Sequence, residues 1–203
     1  MCEIGLATLG ADAHPEKKRG HAGSWVPDGM IILGIDPGSR TTGYGLIHNE
    51  PGKITYVDSG YIRLKGDSLA QKLGDIFASL SEIIQVHKPQ QMGIESVFMH
   101  KNADSALKLG QARGAAICAC HQAGLQVFEY APRQIKQALV GQGGAQKEQV
   151  QHMVKHLLGL RQELQSDEAD GLAIAICHAQ HHAMEQRTGL PARAFARRRS
   201  VRR

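Results

Sequence analysis

Hydrophobic patterning becomes regular only at Met30. Residues 30–36, MIILGID, form an apolar run closed by an acid and predict a buried strand. TTGYGLIHNE (41–50) and KITYVDSGYIRL (53–64), the second with period-two character, predict two more strands. Pro-Gly pairs at 37–38 and 51–52 separate the three, which read as a meander. In SLAQKLGDIFASLSEIIQVHK the apolar positions Leu69, Leu73, Ile76, Leu80, Ile83 and Ile84 fall three and four apart, the spacing of an amphipathic helix, and Pro89 ends it. A short strand in QMGIESVF follows, then a long helix from about Ala103 to Ala123, a stop at Gly124 and a strand QVFEY. APRQIKQALVG and KEQVQHMVKHLL predict short helices joined by the glycine-rich GQGGAQ, and a last helix is expected from about Asp167 to Ala183. Strands that alternate with helices after a hairpin run imply right-handed crossovers and an α/β fold, a mixed sheet covered by helices on its faces.

At 203 residues and 42% hydrophobic composition, the chain can bury one sizeable core. Residues 1–29 lack periodicity and predict a disordered extension upstream of a fold that begins at Met30; residues 30–186 form the expected domain, and 187–203 an Arg-rich disordered tail. The net charge of +5 divides unevenly, because 187–203 carries seven arginines and no acid. Within the domain, 101–155 holds seven basic residues against three acids, the footprint of a polyanion partner or simply solvated helix faces. No apolar run approaches a membrane span and no secretory signal pattern is present, so a cytoplasmic location is expected. Cys2, Cys118, Cys120 and Cys177 lack C-x-x-C spacing; they are expected to be reduced, buried and free of zinc.

Candidate chemistry rests on acids at the ends of predicted elements. Asp36 closes the first strand, Glu95 interrupts the apolar MGIESVF, and Asp167 and Asp170 open the last helix one turn apart. Acids in a first helical turn complement the helix dipole, and Asp167 with Asp170 could form a capping box. Glu95 has no such explanation: inside an apolar strand it must be paired, protonated or metal-bound. If the strand ends and the helix start converge, their repulsion calls for divalent cations, and an oxygen-only donor set favours Mg²⁺ or Mn²⁺ over zinc. Two such ions can drive phosphodiester hydrolysis, the chemistry of a nuclease.

GIDPGSRTTGYG, IESVFMHKNADSALKLGQARG, FEYAPRQIKQALVGQGGAQKEQVQHMV and DEADGLAIAICH, in this order, resemble the RuvC family of Holliday junction resolvases. These are bacterial endonucleases of the ribonuclease-H-like fold, and the resemblance spans about Met30 to Ala183. It implies a homodimer that binds four-way junction DNA and nicks two strands symmetrically during recombination and repair, together with the RuvA-RuvB branch-migration complex. It also implies two Mg²⁺ per active site, with Mn²⁺ able to substitute, held by Asp36, Glu95, Asp167 and Asp170. Lys136 and Lys147 match basic residues near the scissile phosphate, and Lys147 joins the acids in the catalytic set. Phe98 matches a base-stacking aromatic, and Lys101 and Arg113 complete the expected DNA-binding set. Helix 103–123 is the expected dimer interface. Ser96 and Gly171 stand where relatives often have Gln and Ala.

Among the histidines, His178 is expected to pack within the last helix, with His181 and His182 facing solvent. Three other readings remain at this level. An actin- or hexokinase-like ATPase shares the DPGSRTTGYG type of loop, but it would need a second phosphate loop and a second domain. A ribonuclease-H-like nuclease with another substrate would carry the same acids. A non-catalytic DNA binder would be expected to lack at least one of them.

Overall fold

The computed structural model describes residues 29–96 and 103–189. Expectations for the N-terminal extension, for Phe98 and Lys101, and for the arginines beyond Gly189 lie outside the described residues. The element order is β1 (Met30–Asp36), β2 (Thr41–Glu50), β3 (Lys53–Arg63), α1 (Leu69–His87), β4 (Gln91–Glu95), α2 (Ala103–Gln122), β5 (Gln126–Tyr130), α3 (Pro132–Val140), α4 (Lys147–Leu158) and α5 (Ser166–Thr188). Five strands form one sheet in the order β3-β2-β1-β4-β5. The meander β1–β3 is antiparallel, whereas β4 adds parallel to β1 and β5 parallel to β4.

Alternating side chains divide the core between the sheet's two faces. Leu33, Ile35, Tyr44, Leu46, Met92 and Ile94 pack with α1 and α2; Ile32, Ile47 and Tyr130 pack with α3, α4 and α5. Helix α1 starts where the sequence provides a cap: Ser68 Oγ accepts from the Gln71 N–H at 3.2 Å, and Gln71 Oε1 accepts from the Ser68 N–H at 3.0 Å. It stops at Lys88, in the left-handed region (φ 49°), immediately before Pro89.

Helix α5 lies against the sheet at a distance only glycine permits. A Cβ on Gly34 would fall 2.1 Å from the Gly171 carbonyl oxygen, and one on Gly171 would fall 2.5 Å from the Tyr44 carbonyl carbon. The glycine at 171, which costs up to about 1 kcal/mol of helix propensity relative to alanine, is therefore explained by close approach. A Cβ on Gly43 would likewise meet the Asp167 carbonyl oxygen at 2.0 Å. Absent side chains on β1 and β2 thus bring the first turn of α5 to the end of the sheet.

The structure corrects several local expectations. Helix α5 continues to Thr188, past the expected end at Ala183, so Arg187 lies in its last turn. The N–H of Gln165 at its start is accepted by Glu168 Oε2 at 3.3 Å, so the reach-back contact is made by Glu168 and the expected Asp167–Asp170 box is replaced. Cys120 and Cys177 are buried, but Cys118 is exposed because it points from α2 away from the sheet. His181 and His182 are half-buried, and His181 stacks on Tyr130 with ring centroids 5.1 Å apart.

Candidate active site

The first two acids meet because two strands run side by side and end together. Ile35 of β1 pairs with Ile94 of β4 in parallel register, so Asp36 and Glu95 are the next residues on adjacent strands. Pro37 and Gly38 turn the chain away after Asp36, and β4 ends at Glu95. Ile94 points into the core shared with α1 and α2. Glu95, one residue on, takes the opposite face, as the pleat requires.

There a cleft of about 190 Å³ opens, lined by Asp36, Glu95, Lys136, Lys147 and Asp170 over an apolar floor that includes Ile135, Val150 and Ile174. The floor side chains come from α3, α4 and α5, which the sequence placed as helices without indicating a common wall. Asp167 does not line this cleft, but its charge acts on Asp36. Three of the four expected carboxylates therefore share one wall, and the fourth lies within electrostatic reach.

Burial first, and then the neighbouring charges of Glu95, Asp170 and Asp167, together raise the Asp36 carboxyl to about 7 against the opposing charge of Lys147. Glu95 is also raised, first by burial and then by Asp170, while Lys136 and Lys147 pull it down. Lys147, the first residue of α4, donates to Asp170 Oδ2 at 2.6 Å. Burial lowers the pKa of its ammonium, but the bond to Asp170 and the charges of Asp36 and Asp167 outweigh this, and the group stays charged. The glycine-rich connector between α3 and α4 thus delivers a cation to the rim of an acidic cleft.

Among the described residues, no three His, Cys, Asp or Glu side chains close up as a ready-made cage for an ion. The chemistry of the donors still fits a hard divalent cation. All are carboxylate oxygens, and Asp36 is raised by burial first and then by the neighbouring acids, an excess of negative charge that a divalent cation would offset.

Arg113, expected among the DNA-binding residues, turns inward from α2 with its side chain 19% exposed; Nε donates to the Glu95 carbonyl oxygen at 3.2 Å, and Nη2 lies 2.7 Å from Glu129 Oε2 of β5. The packed reading of His178 holds: it is buried, with Nδ1 2.6 Å from the Tyr130 hydroxyl and Nε2 2.7 Å from Gln91 Oε1. A buried acid passed over in the sequence is Asp58, held by partners on β2, β3 and α1.

Residues 32–178 match the family model described as crossover junction endodeoxyribonuclease RuvC. The chain is 63% identical to the crossover junction endodeoxyribonuclease RuvC of Psychromonas ingrahamii over 149 residues, covering 73% of this chain and 86% of that protein. It is 57% identical to the RuvC of Chromohalobacter salexigens over 167 residues, covering 82% of this chain and 89% of that protein. Among solved structures, Thermus thermophilus RuvC superposes with a TM-score of 0.71 at 34% identity, covering 76% of this chain and 96% of that one. The same protein in complex with a Holliday junction substrate gives 0.69 at 32% identity, with the same coverage. The yeast mitochondrial Holliday junction resolvase Ydc2, at 12% identity and a TM-score of 0.53, shares the fold.

Proposed function

Because this chain belongs to the RuvC family of crossover junction endodeoxyribonucleases, we propose that it resolves Holliday junctions by metal-dependent hydrolysis of phosphodiester bonds in the cleft at Asp36 and Glu95. The observation that carries the reading is the convergence of Asp36, Glu95 and Asp170 on one wall, with Lys147 bonded across it. Asp36, Glu95, Asp167 and Asp170 would hold two Mg²⁺, with Mn²⁺ as a substitute, and divalent cations there would supply water activation and charge stabilisation at the leaving oxygen. The chain's own groups do the rest. Lys147 offsets charge developing on the phosphate, Lys136 adds a second positive charge beside Glu95, and the apolar floor limits water around both. In-line displacement leaves 5′-phosphate and 3′-hydroxyl ends.

Paired nicks on opposite strands require two sites related by a two-fold axis, so the working unit is a homodimer. Helix α2 offers small and apolar residues for the contact, with Leu107 exposed. Phe98 stacks on an unpaired base at the junction centre, worth roughly 1–3 kcal/mol per base. Lys101 and the arginines after Gly189 add general affinity for phosphate. RuvA and RuvB are the partners that deliver the junction, and the setting is cytoplasmic; among the described residues no helix is long and apolar enough to cross a membrane.

The test is cleavage of a synthetic four-way junction against linear duplex of the same sequence, with Mg²⁺ and with chelator. Paired symmetric nicks on the junction alone, dependent on Mg²⁺ and resealable by ligase, are expected. Equal cleavage of linear duplex would overturn the substrate assignment, and cleavage in chelator would overturn the metal.

A further inference from the structure

Every group in the cleft approaches Glu95 from the side of α3, α4 and α5. Arg113 approaches from the other side of the sheet, where α2 packs. Its Nε bonds the backbone carbonyl of Glu95, the last residue of β4, just where pairing with β1 has run out at Ile94. Its Nη2 meets Glu129, which pairs with Ile94 from the neighbouring strand. One guanidinium therefore bridges the ends of β4 and β5 at the residue whose side chain enters the cleft. The peptide after Glu95 is held from β5, by the Ser96 N–H donating to the Tyr130 carbonyl at 2.9 Å. The peptide between Glu95 and Ser96 is thus held at its carbonyl and at its N–H, and Arg113 supplies one of the two fixings.

We propose that Arg113 is a positioning residue for Glu95: it orients the Glu95 carbonyl, hence the entry of its carboxylate into the cleft, and Glu129 holds the guanidinium in place. The inference rests on the reading of Glu95 as a metal-holding carboxylate. A planar guanidinium suits this place because Nε bonds the Glu95 carbonyl while Nη2 lies in ionic contact with Glu129 on the neighbouring strand; a lysine ammonium, a single charged centre, reaches one of the two. A group that orients a metal ligand without touching the metal typically affects affinity or activity by about 10- to 100-fold.

The experiment compares wild type, Arg113→Lys, Arg113→Met and Glu129→Gln by three readouts. These are the half-saturating Mg²⁺ concentration for junction cleavage, the Mn²⁺-induced shift in melting temperature without DNA, and junction affinity in chelator with its salt slope. Arg113→Lys and Arg113→Met should both raise the half-saturating Mg²⁺ by about 10- to 100-fold and shrink the Mn²⁺-induced shift, with affinity and salt slope in chelator unchanged. Glu129→Gln, which keeps the fold's shape, should move the same two readouts in the same direction by less. If Arg113→Lys keeps both metal readouts at their wild-type values, the guanidinium is not needed and the proposal fails; if the variants lose affinity in chelator and flatten the salt slope, Arg113 is a DNA contact and the proposal fails. A lower melting temperature with unchanged metal dependence also defeats it, since Arg113 would then only hold the fold. Loss of Mg²⁺-dependent cleavage by wild type itself would instead sink the nuclease reading.

Discussion

A buried and a half-buried carboxylate, on two strands of this sheet with β2 between them, have opposite surroundings. Asp58, on β3, is buried with partners on three elements: the Ser59 N–H donates to Oδ1 at 2.9 Å, the Tyr44 hydroxyl to Oδ2 at 3.4 Å, and His87 Nε2 at the end of α1 lies 3.1 Å from Oδ2. Asp36, on β1, is surrounded by Glu95, Asp170 and Asp167, with Lys147 as the one opposing charge among its strongest influences. A satisfied acid ties elements together and adds to stability. An acid surrounded by other acids detracts from stability, and the fold holds it there only because packing elsewhere outweighs the repulsion. The contrast separates structural from functional polarity without reference to which residue is more buried.

The largest effect expected from breaking this contrast is at the crowded site. Asp36→Asn, Glu95→Gln, Asp167→Asn and Asp170→Asn should each abolish junction cleavage in Mg²⁺ while leaving binding in chelator intact or slightly tighter, since one negative charge fewer faces DNA. Asp36→Asn should also melt higher than wild type in chelator, because an amide is not repelled by Glu95 and Asp170. An Asp36→Asn protein that melts lower would mean that the carboxylate is stabilised in the fold, and the contrast with Asp58 would collapse. Lys147→Ala belongs to the same site and should slow saturated cleavage by about 10²- to 10³-fold.

At Asp58 the expected loss is in stability, with cleavage spared. Asp58→Ala leaves the Ser59 N–H and the Tyr44 hydroxyl unpaired in the core, each costing about 1–3 kcal/mol, so the melting temperature should fall markedly. Saturated cleavage at a temperature where the variant remains folded should stay within about twofold of wild type, a difference of under 1 kcal/mol in barrier. A larger catalytic loss would show that the β3 edge communicates with the cleft.

These two sites also show what the sequence can and cannot disclose. Asp36 is legible because it ends an apolar run before Pro37-Gly38, and Glu95 because it interrupts one. Asp58 is not legible, since a bulge intervenes: Leu46 pairs with Asp58 but Ile47 pairs with Tyr56, which leaves Val57 extra. Strict alternation would send Asp58 to the same face as Tyr56, whereas the bulge brings it to Tyr44 and α1. The close seating of α5 was likewise hidden. Gly34 and Gly43 fall inside predicted strands and Gly171 inside the predicted last helix, with nothing in the pattern to single them out until the helix is seen lying on them. Arg113 counted as one more positive charge in a basic stretch, because charge counts carry no direction, and its acceptors are 16 and 18 residues away in sequence. Element order followed from periodicity; pairing register and side-chain direction at helix α2 depended on contacts that periodicity does not encode.

A third buried polar group extends the comparison along α5 itself. His178 lies eight residues beyond Asp170 on the same helix and is satisfied at both ring nitrogens by Tyr130 and Gln91. Burial lowers its pKa to about 3, helped by the positive forms of His182 and His181. Its folded value lies below its unfolded value near 6.5, so the unfolded chain binds the extra proton first. Its contribution to stability is complete above about pH 6.5 and declines as pH falls toward 3, at about 1.4 kcal/mol per pH unit for this one group. His178→Gln should cost about 1 kcal/mol at pH 7.5 through altered hydrogen bonding, yet flatten the loss of stability between pH 6.5 and 4.5. Chemical denaturation across that range checks it, and a variant as acid-sensitive as wild type would place the titration elsewhere.

The smallest expected effect comes from a second lysine on α4. Lys155 Nζ lies 2.6 Å from Glu163 Oε1, the same distance that separates Lys147 from Asp170, so distance alone makes the two pairs equivalent. Their acids are not equivalent: Glu163 is 92% exposed, whereas Asp170 is 23% exposed and belongs to the crowded wall. Water and salt screen the first pair, and holding two long side chains together offsets what attraction remains. Lys155→Ala should therefore cost less than about 1 kcal/mol, a shift that raised salt removes, and should leave saturated cleavage unchanged. Measured beside Lys147→Ala, it asks whether position on α4 or the company of the acid determines function. If both variants slow cleavage alike, the helix acts as a general basic face toward DNA, and the special standing of the cleft beside Asp170 is lost.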